Sequence, residues 1–144
     1  MKKLINTSFI YAIVGICCGV FYREFTKFTM FEGRTTLAFT HLHFLVLGTL
    51  VFLILALFSI NTDLLEQKKF KLFFVTYNIG IIFMQVMFFV RGILQVLATP
   101  LSSGANAAIS GITGVAHIIV TLGVVLLFLC LRKITILPKS KKSK

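Results

Sequence analysis

Two of the three histidines in this 144-residue chain stand two positions apart at the start of a long apolar segment. They are His41 and His43, in the run Thr40-His41-Leu42-His43, and the third is His117. An imidazole within such a segment is costly in a membrane unless it faces other helices, a cavity or a ligand. We therefore start from His41, His43 and His117 as candidate metal or cofactor ligands.

The spacing of the histidine pair favours haem over zinc. Residues two apart on an α-helix point about 200° from one another, so the pair cannot bind one centre from one face, and helical zinc pairs use i, i+4 spacing. A haem needs an axial imidazole on a protected helix, a flat gap beside it and cationic groups for its propionates. The cofactor expected is haem b, and its candidate binding residues are His41, His43, His117, Arg91, Arg23 and Gly48, where Gly48 offers the gap.

The composition indicates that a bilayer surrounds these residues. The chain is 58% hydrophobic and only 13% charged, with a mean hydropathy of +0.98, whereas soluble domains carry about 25% charged residues. Its net charge of +11 comes from lysines and arginines in short flanks between apolar runs, so no nucleic-acid partner is expected. Membrane lipid is the expected surrounding partner.

Four apolar runs are long enough to cross a hydrocarbon core as helices, at 4–21, 37–60, 70–98 and 105–131. Pro100 ends the third run, and the spacing of Phe21, Phe25 and Phe28 predicts that the first continues as an interfacial helix. The sequence thus predicts an all-α integral membrane four-helix bundle, with a single domain at 1–135 and a basic tail at 136–144.

The placement of basic residues predicts the orientation, because Lys and Arg are enriched in cytoplasmic segments. Most of them lie near the two termini and in the loop between the second and third helices, and only Arg23, Lys27 and Arg34 flank the other side. Both termini are therefore expected in the cytoplasm, in a multi-pass protein of a bacterial plasma membrane.

Polar residues within the runs predict which helix faces look inward. The third helix carries a stripe at helical spacing that ends in polar residues, namely Tyr77, Ile81, Met84, Phe88, Arg91 and Gln95. All four acids lie in loops, and no Ser-His-Asp set or paired carboxylate is visible, so hydrolytic chemistry is not expected and enzymatic activity stays open.

Two resemblances arise from these residues. The segments NTSFIYAIVGICCGVFYREFTKF, THLHFLVLG and VRGILQVLATPLSSGANAAISGI resemble a family of small four-helix membrane proteins of Gram-positive bacteria with no established activity. More remotely, His41-Leu42-His43 is similar to the His-x-His of the haem-copper oxidase catalytic subunit, which is built from four-helix arcs. That resemblance implies a high-spin haem ligand at His41 and a low-spin haem ligand at His43.

The chain lacks the paired histidines and the cross-linked tyrosine-histidine motif of the oxidases, so no copper site is expected. A single arc would need partners to close a ring, which implies a homo-oligomer such as a trimer. The leading hypothesis is a b-type haem protein for electron transfer or for haem and gas handling. The alternative is a non-catalytic carrier or structural subunit whose histidines hydrogen-bond between helices.

Overall fold

A computed structural model describes residues 1–136 and consists of four long helices. All four are long and apolar enough to span a membrane, which confirms the predicted all-α, multi-pass architecture. They are α1 Lys2–Phe28, α2 Leu37–Asn61, α3 Phe70–Val96 and α4 Ser103–Leu131. A single 3-10 turn, Leu64–Glu66, lies between α2 and α3.

The observed helix ends agree with the predictions to within about two residues, except at α1. The predicted interfacial extension belongs to α1, which runs without a break to Phe28. At the same end of the bundle α3 stops at Val96, before the predicted boundary, and α4 begins at Ser103 because the Ser102 hydroxyl accepts a hydrogen bond from the Ala105 N–H. We call the end with the α1–α2 and α3–α4 loops the loop end, and the opposite end the terminal end.

Both helices that finish at the loop end stop in the same way. Ala98 adopts a positive φ of 47°, and the N–H groups of Thr99 and Ala98 donate to the carbonyls of Leu94 and Gln95. Met30, with φ 49°, ends α1 through the equivalent pair of bonds. These are Schellman motifs, in which glycine is the usual residue at the left-handed position.

The central helix is α3, which contributes more buried residues than any other helix and packs against both α2 and α4. Close approach to α4 depends on two glycines: a Cβ on Gly80 would lie 2.8 Å from the Val120 nitrogen, and one on Gly123 would lie 2.9 Å from the Tyr77 Cα. Helix α4 packs mainly on α3 and leaves its other faces exposed. The predicted inward face of α3 is confirmed for its apolar part, since Tyr77, Ile81, Met84 and Phe88 are buried.

The terminal end is closed by the side chain of Asp63. Its Oδ1 accepts the Thr135 N–H at 2.7 Å, and its Oδ2 accepts the Gln67 side-chain N–H at 2.9 Å. Thr62 and Ile136 form an isolated antiparallel bridge beside these bonds. The chain after α4 is thus joined to the α2–α3 loop, and the rest of the predicted basic tail, 137–144, lies outside the described residues.

Candidate functional site

Helix α2 changes its hydrogen-bonding pattern directly after the histidine pair. Residues Phe44–Leu50 form a π-helix, in which the Val51 N–H reaches the Val46 carbonyl. Two hydroxyls from neighbouring helices supply extra donors: Ser8 of α1 donates to the Thr49 carbonyl at 2.8 Å, and Tyr77 of α3 donates to the Leu47 carbonyl at 3.1 Å. Because π-segments leave backbone carbonyls poorly paired and often occur at functional sites, these two donors stabilise the wide turn beside His43.

His41 faces α1. A Cβ on Gly19 would lie 3.5 Å from the His41 Cβ, so the imidazole begins directly over the smallest residue of the neighbouring helix. The Nδ1 atom of His41 is buried and has no hydrogen-bond partner among the described residues. An unpaired nitrogen in this position costs free energy, roughly 1–3 kcal/mol for a neutral group.

His43 faces α3, in keeping with the angle of about 200° between residues two apart. Its ring meets Phe88 edge-on, with 5.0 Å between centroids, and its Nδ1 lies 2.8 Å from the Phe39 carbonyl. A carbonyl can only accept, so Nδ1 carries a proton, and in the neutral imidazole Nε2 then keeps a free lone pair. His43 also lines a surface groove of about 230 Å³ with Leu42, Val46 and Leu47.

His117 of α4 packs against the same phenyl ring and has the same kind of hydrogen bond. Its centroid lies 5.7 Å from that of Phe88, and its Nδ1 lies 2.8 Å from the Thr113 carbonyl. The Nε2 atom of His117 is therefore also the unprotonated one. His43, Phe88 and His117, hereafter the Phe88 cluster, bring together two of the three predicted ligands, and His41 lies apart from them.

Two other expected residues lie away from the Phe88 cluster. The space beside Gly48 is filled by α1, because a Cβ there would be 2.5 Å from the Tyr11 Cγ, so the flat gap expected for a haem holds a tyrosine ring. Arg23 pairs with its neighbour Glu24 at 2.6 Å, and its side chain is 76% exposed. Within residues 1–136, no three His, Cys, Asp or Glu side chains come close enough to hold a metal ion.

Arg91, which was expected to bind the haem propionates, is hydrogen-bonded to α4. Its Nη2 donates to the Ser110 hydroxyl at 2.6 Å and approaches the side-chain and backbone oxygens of Asn106 at 3.2 and 3.3 Å. The cleft that it lines shares no residue with the groove at His43. The structure therefore places Arg91 at a cleft distinct from the groove that His43 lines.

Sequence reasoning missed one polar contact between α1 and α3, and it missed the lack of hydrogen-bond partners at Gln85, which helical spacing places beside the inward stripe of α3. The Tyr11 hydroxyl donates to the Asn78 amide oxygen at 2.7 Å, joining α1 to α3. Gln85 lies seven residues after Asn78 on α3 and is only 2% exposed, yet neither its amide nitrogen nor its amide oxygen has a partner among the described residues. Hydroxyl and amide residues inside apolar runs were the available signal for both.

The sequence places this four-helix arrangement in a known family. A family model described as a protein of unknown function, DUF2871, matches residues 1–134. The chain belongs to the DUF2871 family. Comparison with curated proteins and with solved structures gave no match. The match covers all four helices of this DUF2871 protein, the Phe88 cluster and the Arg91 cleft included.

The Phe88 cluster of this DUF2871 protein offers one kind of chemistry. Metal-ligating histidines commonly donate one ring N–H to a backbone carbonyl, which fixes the tautomer and orients the other nitrogen. His43 and His117 both have that arrangement. Within residues 1–136 neither histidine pairs with a carboxylate, so the cluster provides neutral nitrogen ligands in apolar surroundings.

Proposed function

We propose that this membrane protein binds haem b through the Phe88 cluster, with His43 as the axial ligand. The observation that carries the proposal is the hydrogen bond from the His43 Nδ1 to the Phe39 carbonyl, which leaves Nε2 free at the edge of a groove. A neutral imidazole nitrogen on a lipid-protected helix is the axial ligand of b-type haems. When bound, the haem would supply one-electron or gas-binding chemistry.

The size of the groove at His43 is also an argument about the oligomeric state. Its volume of about 230 Å³ lies below the roughly 300–1,000 Å³ usual for ligand pockets, and one side is open. A second wall must therefore come from outside the chain, and we propose a second copy in a homo-oligomer, with a trimer as one arrangement. Around Gly104, Gly111 and Gly114 of α4 an added Cβ would meet nothing within 4 Å, so helices of another copy have room to approach.

Only some of the residues predicted to bind haem are available to do so. His43 and His117 provide suitable nitrogen donors, whereas Gly48 contacts Tyr11 and Arg23 pairs with Glu24. In the proposed site His43 binds the iron, and His117 packs against the same Phe88 ring. We further propose a plasma-membrane location with both termini in the cytoplasm, which the distribution of basic residues supports.

Absorption spectroscopy tests the proposal. The protein is expressed with ample haem, purified in mild detergent, and also reconstituted with haemin. We expect a Soret band that His43→Leu removes. His41→Leu is the matched control, because it deletes an imidazole two residues away that lies on the α1-facing side and should leave the band in place.

The outcomes distinguish the two functional classes. A native protein with no Soret band after either procedure contradicts haem binding and favours the non-catalytic alternative, a carrier or structural subunit. A band that survives in both His43→Leu and His117→Leu moves the ligand away from the Phe88 cluster and overturns the assignment.

A further inference from the structure

We propose that a second site, at the loop end between α3 and α4, binds the phosphate of an anionic phospholipid through Arg91. The cleft has a volume of about 320 Å³, and its lining includes Arg91, Gln95, Thr99 and Asn106 as polar groups, with Leu94 and Leu101 as apolar ones. It shares no residue with the groove at His43, so the proposal is independent of haem binding.

The first argument is the uncompensated charge of Arg91. Its three hydrogen-bond contacts are all to neutral oxygens, those of Ser110 and Asn106. Within residues 1–136 no carboxylate pairs with it, and its Nη1 and Nε atoms form no hydrogen bond. A cation inside a membrane protein that has only neutral partners keeps its full charge, and it is stabilised by an anion at close range.

The second argument is that Arg91 is held in position. Because Ser110 and Asn106 both engage Nη2, the guanidinium is fixed against α4 instead of extending freely toward headgroups. The Nη1 and Nε atoms, which lie on different edges of the guanidinium, each retain N–H donors for a further acceptor. Either can donate a charge-assisted hydrogen bond to a phosphate oxygen, and an ordered side chain loses less entropy on binding.

The third argument concerns the end of α3, whose carbonyls would ordinarily repel an anion. Here the carbonyls of Leu94 and Gln95 accept hydrogen bonds from Thr99 and Ala98, at 3.0 and 3.2 Å. The Schellman motif thus satisfies the backbone oxygens nearest to the cleft. An incoming phosphate meets the guanidinium and uncharged amide and hydroxyl groups, and within the described lining it meets no carboxylate.

The apolar part of the lining indicates that the phosphate carries acyl chains. Leu101 is 40% exposed, and Leu94 lies on the same cleft wall. The cleft also lies where α3 ends and α4 begins. For helices that span a hydrocarbon core of about 30 Å, this position is at the depth of the phosphate headgroups. A free phosphate ion would leave the leucine side chains without a partner.

A lipid titration of the full-length protein in uncharged detergent tests this assignment. The probes are a short-chain phosphatidylglycerol, a short-chain phosphatidylcholine and inorganic phosphate, and binding is measured from the shift in melting temperature. We expect phosphatidylglycerol to bind at least about tenfold more tightly than phosphatidylcholine. Inorganic phosphate that matches phosphatidylglycerol would contradict the lipid source.

Two variants locate the site. Arg91→Gln removes the charge and should abolish the preference for phosphatidylglycerol, with Arg23→Gln, at the same end of the molecule, as its control. Thr99→Glu adds a carboxylate to an exposed position of the lining and leaves Arg91 intact, so it decides the question if Arg91→Gln fails to fold. Its control is Met30→Glu, which adds the same charge at an exposed residue outside the cleft.

The assignment is overturned if the native protein shows no preference for the anionic lipid. It is equally overturned if Thr99→Glu keeps the native preference, or if Arg23→Gln and Met30→Glu reduce the preference as much as the cleft variants do. Loss of the preference in the cleft variants alone supports it.

Discussion

Each side of α2 carries a histidine, and the Nδ1 atoms of the two histidines differ in their hydrogen bonding. On the α3-facing side, His43 donates to the carbonyl four residues earlier, as His117 does on α4. On the α1-facing side, the equivalent carbonyl of Leu37 already accepts the Thr40 hydroxyl at 2.7 Å, and the buried Nδ1 of His41 has no partner among the described residues. The residue before each histidine therefore determines whether the imidazole N–H can donate to the carbonyl four residues earlier in the same helix.

The same contrast extends to packing. The α1-facing side of α2 is narrow, with glycines of α1 and α2 at the contacts, whereas the α3-facing side opens into the groove at His43. Close contacts tolerate little change in volume, and they occur against α1 at Gly48 and against α3 at Gly92, whereas the groove at His43 tolerates more. The predictions below test each part of this difference.

We expect the largest effect from adding a methyl group where helices touch. A Cβ on Gly92 would lie 2.7 Å from the backbone nitrogen of Leu37, which cannot move aside, and a Cβ on Gly48 would lie 2.5 Å from the Tyr11 ring. Gly92→Ala should cost about 3 kcal/mol of unfolding free energy and Gly48→Ala about 2 kcal/mol.

Denaturation in mixed micelles measures both glycine variants, with Gly19→Ala as the control, whose Cβ would lie at an ordinary contact distance of 3.5 Å from the His41 Cβ. The control should be neutral or slightly stabilising, by about 0.5–1 kcal/mol, since alanine favours helix. Equal stability in all three variants would contradict the close contacts on both sides of α2.

A gain in stability is expected from Gln85→Met. Gln85 lies at helical spacing from Asn78, which bonds to Tyr11 of α1, and from Gly92, which contacts Leu37 of α2. Replacing an unpaired buried amide by an apolar side chain of similar shape should stabilise the protein by about 1–2 kcal/mol.

Thermal denaturation checks Gln85→Met against Asn78→Leu, which removes an amide that is bonded to the Tyr11 hydroxyl and to the Phe74 carbonyl. Asn78→Leu should destabilise the protein. A loss of stability in Gln85→Met as well would mean that a bound water or small polar ligand pairs with Gln85.

The π-segment should depend on both sides of α2 to a similar extent. Ser8→Ala removes the donor to the Thr49 carbonyl from α1, and Tyr77→Phe removes the donor to the Leu47 carbonyl from α3. Each should cost about 1 kcal/mol. A double-mutant cycle would show coupling if the two bonds support one wide turn, and strict additivity would show that they act independently.

The smallest expected effect comes from Thr40→Val, which leaves the Leu37 carbonyl without a hydroxyl partner. The change in stability should be within about 0.5 kcal/mol, since the His41 Nδ1 can then take the place of the lost donor. Nitrogen NMR of the imidazoles measures the result: His41 should acquire the tautomer of His43 and His117. An unchanged His41 spectrum would show that some other group controls this ring.

Much of the fold could be predicted from hydropathy, because four apolar runs between charged flanks leave few alternatives. The extension of α1 to Phe28 followed from aromatic spacing, and the buried face of α3 followed from helical periodicity. The π-segment could not be predicted, since Phe44–Leu50 is apolar apart from Thr49 and carries no local sign of a wide turn.

The candidate site was less accessible to sequence reasoning. The divergence of His41 and His43 follows from helix geometry alone, but the meeting of His43 and His117 on Phe88 depends on how three helices pack. The space beside Gly48 looked free for a planar ligand because the sequence cannot show that Tyr11 occupies it. Arg91 likewise bonds to α4 through residues whose proximity is set by the α3–α4 turn.

The π-segment also makes α2 tolerant of a change of one residue in its length. A hydrogen bond to the fifth instead of the fourth preceding residue accommodates one additional residue within a wider turn. A single-codon deletion within 44–50 would let α2 become a uniform α-helix and would leave His41 and His43 in the same direction relative to Phe52. In a helix without the π-segment, the same deletion would turn the histidine pair by about 100° and present a different side chain to Phe88, without any substitution at His41 or His43.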